Sequence, residues 1–358
     1  MSTPGRRLTQ QDIARMAGVS QTTVSLVLNN RTDAEVRIAP ETRERVLGVI
    51  RETGYVADPV ARRLAERRNR ILGVFTYEAV FPTASADFYH PFLLGIEECA
   101  EEMGCDLLLF TSARAAGERR RIFNEDSRVR LADGCVLLGR AVDRDDLARL
   151  LAEGIPFVSI GRRDDAGAPV PYVGADYPPA VRALVDRTVE LGHRRLAYVG
   201  TGAGAESPAD RMRGFREAVA AVGAEGLHVP VTGRSPGELL DDISAARASA
   251  IFVEEPADAV AITQAAGERG LTIPGDLSVL ALGAPTRPVH VDVDFTGFRI
   301  PRREMGRRAV ELLAELLGNG GGTPQELLAC ELVEGSTLAP IRNRSNVGDD
   351  DGRGHRRG

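Results

Sequence analysis

Residues 9–28 read TQQDIARMAGVSQTTVSLVL, and this stretch decides how the N-terminal part of the chain folds. Thr9 stands just ahead of the run, with Asp12 where a capping box would carry its acidic partner. That spacing predicts a helix over Gln10–Ala17. Ile13, Ala14 and Ala17 fall on one stripe of it. Gly18 supplies the left-handed backbone that ends it. Ser20 then caps a second helix, Gln21–Leu28, whose inner face is Val24, Val27 and Leu28. Two short helices around a Gly-containing turn form the unit that sets its second helix into the major groove of DNA. Ser20, Gln21, Thr22 and Ser25 lie on the outer face, all polar groups able to hydrogen-bond base edges.

Downstream, Pro40 suits a first helical position because its missing N–H is not needed there. A third helix runs through ETRERVLGVIRET and stops at Gly54. Val46, Val49 and Ile50 close a small core, and Arg43, Arg45 and Arg51 face outward, where they are either solvated charges or phosphate contacts. Next, Asp58 and Pro59 open a short Arg-rich segment with little apolar face. Such a helix is marginal alone in water. It is expected to order only when docked on DNA beside a second copy. Leu64 is then placed to wedge into the minor groove. A plain interdomain linker is the other reading of this segment.

Charge divides along the same line. Residues 1–70 hold 13 Arg against 8 acidic residues, a net of +5 within a chain of net −6, and no Lys occurs anywhere. A basic head on an acidic body implies that only the head meets a polyanion. The four cysteines, Cys99, Cys105, Cys135 and Cys330, have no metal-type spacing. They read as reduced thiols, and neither a metal nor a cofactor is implied. No apolar run approaches the ~20 residues of a membrane span. The first residues lack the apolar segment of a secretory signal, so a cytoplasmic, nucleoid-associated protein is expected.

From residue 71 the chain alternates apolar runs with amphipathic helices. Ile71–Phe75, Leu107–Phe110, Gly134–Leu138, Phe157–Ile160, Arg195–Gly200, Ala250–Val253 and Leu277–Leu282 read as buried strands. Helices are expected near Leu93–Met103, Arg144–Glu153, Ala180–Leu191, Arg211–Val222 and Ala257–Arg269. Alternation of this kind argues for βαβ units and parallel sheets. Two such units leave a cleft outside the strand carboxyl ends, where ligands bind. The Gly-rich YVGTGAGAES lacks dinucleotide spacing. His193 stands without a nucleophile or second base and reads as a structural cap at a helix end.

Taken in order, DIARMAGVSQTTVSLVLNN, PETRERVLGVIRETGYVADPVARRLA, FLLGIEECAEEMGCDLLLF, GIPFVSIGRR, LGHRRLAYVG, DRMRGFREAV, ERGLTIPGDLSVLALG and MGRRAVELLAELL resemble the LacI/GalR family of bacterial transcription regulators. The resemblance spans roughly residues 8–340. It implies a small all-α helix-turn-helix head (1–57), a hinge helix (58–69) and an α/β, periplasmic-binding-protein-like body (70–342). In that body the N-lobe takes about 70–171 and 298–322, the C-lobe about 172–297 and 323–342, and a disordered tail follows (343–358). It further implies a homodimer on pseudopalindromic operator DNA, controlled by a small-molecule effector. The DNA-contacting positions become Thr9, Ser20, Gln21, Thr22, Thr23, Ser25, Leu26, Asn29, Tyr55, Ala61 and Leu64. The effector-contacting positions become Tyr77, Phe88, Tyr89, Arg162, Arg211, Glu255 and Gly283. No residue is assigned a catalytic role.

Departures from the family pattern bear on specificity. Leu26 stands where the family usually has Arg, which exchanges a guanine contact for an apolar one suited to a thymine methyl. The loop over residues 31–37 is longer than usual, and Asp58 replaces an Asn at the hinge. Glu255-Pro256 and Gly283-Ala284-Pro285 stand where carboxylates and amides usually hold a sugar. A carbohydrate effector thus lacks its ordinary anchors, and a body that binds no small molecule stays open. A solute receptor for transport and a sugar- or nucleotide-processing enzyme are the competing classes. The basic head argues against the first, and the absence of a clustered nucleophile and base against the second.

Overall fold

A computed structural model describes residues 8–28, 38–55, 69–78, 86–111, 120–123, 127–283, 293–319 and 322–341. The chain divides into two compact units, residues 1–69 and 70–358.

In the first unit, α1 (Gln10–Ala17) begins at Thr9, whose side chain and that of Asp12 cap each other's backbone N–H groups. It ends at Gly18, left-handed at φ 67°. The Ser20 hydroxyl accepts the N–H of Thr23 at 3.1 Å and starts α2 (Gln21–Leu28). α3 (Pro40–Thr53) ends on Gly54, also left-handed. Ile13, Ala14, Ala17, Val24, Val27 and Val46 form the core, and Leu28, Val49, Ile50 and Tyr55 pack around it. The head therefore follows its sequence signals almost residue for residue. Of the expected hinge helix (58–69) residues 58–68 lie outside the described residues, as does the whole expected tail (343–358).

The second unit contains two six-stranded sheets. The first is built from β1 (Ile71–Thr76), β2 (Asp106–Phe110), β3 (Gly134–Leu138), β4 (Phe157–Ile160), β5 (Tyr172–Asp176) and β11 (Gln325–Ala329), in the order β11-β5-β4-β3-β1-β2. Every pairing in it is parallel. The second comprises β6 (Arg195–Val199), β7 (Glu225–Val229), β8 (Ala250–Val253), β9 (Ser278–Ala281), β10 (Thr296–Arg299) and β12 (Glu331–Val333), ordered β12-β10-β9-β8-β6-β7. Only β12 runs antiparallel to its neighbour. Between the strands lie α4 (Ala86–Glu102), α5 (Arg144–Ala152), α6 (Tyr177–Glu190), α7 (Glu206–Ala221), α8 (Pro236–Ala245), α9 (Pro256–Glu268) and α10 (Arg302–Asn319). The central strands are buried on both faces, as parallel sheets covered by helices require.

The lobe boundaries differ from those the sequence implied. β5 pairs with β4, and β11 pairs with β5, so residues 172–176 and 325–329 belong to the first sheet. β10 pairs with β9, so 298 and 299 belong to the second. The chain crosses after β5, between β10 and α10, and between β11 and β12. The sequence concealed this because β7, β11 and β12 are half-exposed edge strands without a continuous apolar run.

In the first lobe α4 and α10 pack at very close range. A Cβ built on Gly95 would fall on the carbonyl of Arg303, and one on Gly306 would fall on the carbonyl of Phe92. Those two glycines let the backbones approach. Arg303 pairs with Glu98, and Arg307 with Glu102, along the same seam.

Candidate functional site

In the head, α2 exposes Ser20, Gln21 and Thr22, while Thr23, Ser25 and Leu26 are half-buried. The hydroxyls of Ser20 and Thr23 bond each other at 2.8 Å, so both serve the helix start. The Thr9 hydroxyl donates to Asp12 at 2.7 Å. Gln21 and Thr22 therefore present the most accessible functional groups of the set. Tyr55 packs half-buried against the small core. Asn29, Ala61 and Leu64 lie outside the described residues.

In the second unit a cavity of about 610 Å³ opens at the carboxyl ends of the strands of both sheets. Leu138 ends β3 and Gly139 and Arg140 follow it, Ile160 ends β4 and Gly161–Arg163 follow it, Thr201 follows β6, Glu254–Asp258 follow β8, and Leu282 and Gly283 follow β9. β1 sits between β2 and β3, and β6 between β7 and β8. Each sheet thus reverses its strand order here, which leaves a crevice between diverging loops.

Six of the seven expected effector positions line this cavity: Phe88, Tyr89, Arg162, Arg211, Glu255 and Gly283. Tyr77 does not. It is wholly buried with the α5 side chains Leu147 and Leu150, its ring edge-on to Phe75 at 5.0 Å. The alternation along β1 sends it to the helix-covered face rather than to the crevice.

The polar groups divide into occupied and unoccupied sets. Arg162 donates to Asp210 on α7 and to Asp164, each at 2.6 Å. Arg163 donates to Glu206 on α7 at 3.0 Å and to the Gly139 carbonyl at 2.8 Å. These arginines follow a strand of the first sheet and pair with a helix of the second lobe, so they bind the lobes together along one wall. Glu254 is buried and accepts from Tyr198 Oη, Thr201 Oγ1 and the Gly202 N–H, each at 2.8 Å. It secures the loop after β6 and has little capacity left for a ligand. Glu255, by contrast, is exposed at the start of α9. Burial, then the charges of Glu255 and Glu254, raises the pKa of Asp258.

Arg211 is 6% exposed, and its guanidinium lies 4.2 Å above the Tyr177 ring. Its Nε is buried without a hydrogen-bond partner, and so is the Nε of Arg302. Arg302 and Arg140 flank the Phe88 ring at 5.5 and 4.6 Å. The sequence reading missed Arg302, Arg140 and Tyr177. The available signal was position, since Arg302 opens the helix after β10, but β10 is a four-residue strand, TGFR, without a continuous apolar run.

Among the described residues no cluster of three or more His, Cys, Asp or Glu side chains could hold a metal. No described helix is long and apolar enough to cross a membrane.

Comparison with known proteins agrees with this geometry. The family model for bacterial regulatory proteins of the lacI family matches residues 9–58, and that for a periplasmic binding protein-like domain matches residues 185–338. The HTH-type transcriptional regulator CelR of Thermobifida fusca is 30% identical over 337 residues, covering 90% of this chain and 96% of the relative. A solved complex of the regulator CelR with cellobiose is 27% identical, with a TM-score of 0.61 and coverage of 92% and 100%. The lac repressor dimer bound to operator and the anti-inducer ONPF shares the fold, with a TM-score of 0.72, 21% identity and coverage of 93% and 100%. With a capped helix-turn-helix, two reversed parallel sheets and a relative aligned along nearly its whole length, the chain belongs to the LacI family of bacterial transcription regulators.

Proposed function

We propose that this chain is a sequence-specific repressor that acts on DNA as a homodimer and changes its operator affinity when a small molecule enters the cavity between its two sheets. The observation that carries the reading is the presence, in one chain, of an exposed polar face on α2 and a strand-end cavity walled by Phe88, Tyr89 and Arg211. In this reading Ser20, Gln21, Thr22 and Ser25 meet base edges and Leu26 meets a thymine methyl. Thr9, Thr23 and Tyr55 position the head on the phosphates. Asn29, Ala61 and Leu64 keep the roles that the family resemblance gives them. Two heads read two half-sites of a pseudopalindrome. The reading places the chain with the chromosome in the cytoplasm and includes no catalytic step.

The effector acts by preferring one arrangement of the lobes. A coupling of about 1–3 kcal/mol changes operator affinity about 5–150-fold. Phe88 stacks on the ligand, Arg211 supplies a rigid fork of donors, and Glu255 accepts from ligand hydroxyls.

The test is binding of the purified full chain to its own upstream promoter against random duplex of equal length at moderate salt. A preference of at least about 10³-fold is expected of a specific reader. Equal affinity for both duplexes would defeat the reading. Gln21→Ala should remove about 1–3 kcal/mol of discrimination at one base position and leave random-duplex binding unchanged.

A further inference from the structure

Five arginines line the cavity, and they divide by whether a carboxylate pairs directly with them. Arg162 and Arg163 are consumed by Asp210, Asp164 and Glu206. Arg211 and Arg302 are not. Among the described residues neither side chain makes a hydrogen bond or ion pair, each guanidinium meeting only an aromatic ring, and each hides its Nε from solvent with no acceptor. Arg211 is more than nine-tenths buried and lines the cavity. Its terminal nitrogen lies 4.0 Å from where a side chain at Gly283 would begin, so the space that glycine leaves is directly before it. Arg140 and Arg302 both lie over the Phe88 ring, at 4.6 and 5.5 Å. Burial lowers the Arg302 pKa, and the charges of Arg211 and Arg140 lower it further against the raising effect of Tyr177 and Glu255.

Guanidinium does not give up its proton at any ordinary pH, so this repulsion cannot be relieved by neutralisation. A buried cation without a partner is retained at a cost, and the cost disappears when an anion arrives. At the second-lobe rim, Glu255 and Asp258 offer acceptors suited to hydroxyl groups. Phe88 and Tyr177 also line the cavity, with Arg140 and Arg302 against the first ring and Arg211 over the second. The volume is that of a small-molecule site.

We infer that the effector of this protein is an acidic saccharide, with a carboxylate or phosphate held by Arg211 and Arg302, its ring against Phe88 and Tyr177, and its hydroxyls toward Glu255 and Asp258. The inference rests on the effector-cavity reading above and adds the ligand's charge. It assigns to Arg302 a recognition role that sets this cavity apart from one built for neutral sugars.

The experiment is calorimetric titration of the full chain with D-glucuronate, glucose 6-phosphate, glucose and cellobiose, repeated on Arg302→Met, Arg211→Met and Phe88→Ala. Thermal melts of the ligand-free proteins are run in phosphate and in chloride at matched ionic strength. One or both acids should bind at least about thirtyfold more tightly than glucose, as expected for a buried charge meeting its partner. Which acid binds separates carboxylate from phosphate. Arg302→Met should abolish that preference. It should also melt higher than the parent in chloride, since it removes an unanswered charge, and should lose the parent's stabilisation by phosphate. A melt at or above the parent's also shows that the variant folds.

Neutral sugars binding as well as the acids, with Arg302→Met inert and Phe88→Ala damaging, would overturn the charge assignment and leave the cavity reading standing. Failure of both acids to bind, together with no phosphate stabilisation that depends on Arg302, would overturn it as well. Binding indifferent to all three substitutions would place the ligand outside the cavity and take both readings down.

Discussion

Single side chains in this protein often hold the site together rather than meet a ligand. Glu254 lines the cavity, yet its two oxygens already accept three hydrogen bonds. Glu254→Gln puts an amide donor where acceptors are required. It should cost about 1–3 kcal/mol, read from the urea midpoint of the full chain. His193 is a similar case. Its Nε2 lies 2.8 Å from the Ala339 carbonyl, which can only accept, so Nε2 carries the proton and Nδ1 takes the Ser249 hydroxyl at 2.9 Å. Burial depresses its pKa below the ordinary 6.5. The folded state therefore resists protonation while the unfolded chain accepts it. The stability tied to His193 is fully present above about pH 6.5 and drains away as pH falls toward the depressed folded value. The stability gap between the parent and His193→Gln should narrow between pH 7.5 and 5.5. A gap constant across that range would show that the ring is not held neutral.

Elements differ in how openly the sequence declares them. Thr9→Ala deletes one half of the α1 cap and should cost about 1 kcal/mol, seen as a lower melting temperature of the head. The α4–α10 seam makes a sharper prediction. Alanine at Gly95 or Gly306 must push two backbones apart, at about 1–3 kcal/mol. Gly318→Ala, on the same α10 with open space around it, should instead stabilise by about 0.5–1 kcal/mol. If all three behave alike, close packing is not what these glycines provide. The head was legible because its signals are local: Thr9, Gly18, Ser20, Pro40 and Gly54 each fix a helix end by their own chemistry. The buried strands were legible as apolar runs such as GCVLL and AIFV. β11, QELLA, was not, because its half-exposed pattern gains meaning only once β5 offers an edge 153 residues earlier in the chain. The cavity was half legible for the same reason. Motif matches placed Phe88, Tyr89 and Arg211, but Arg302 depends on β10 delivering the chain to the crevice, and Tyr77 was misplaced by the pleat of β1.

For the whole molecule, the path of the chain between the sheets governs what can move. Arg162 and Arg163 reach from the loop after β4 to Asp210 and Glu206 on α7, so the lobes are held both by backbone crossings and by an ionic wall. Asp210→Asn should loosen that wall and change effector affinity without touching the aromatic face. Calorimetric titration with the effector would check it, and an unchanged affinity would mean that the wall plays no part in closure.

The three crossings also dictate the order in which the protein can be completed. Neither sheet has all its strands until Gln325–Ala329 and Glu331–Val333 have joined the two opposite borders. A nascent chain leaving the ribosome therefore cannot seal its first lobe and proceed to the next, as beads on a string do. Both lobes wait for the final turns of synthesis. A stop codon just ahead of Gln325 should thus unravel the whole body at once, leaving only the head, whose core is assembled within the first fifty-five residues, to survive as a folded fragment.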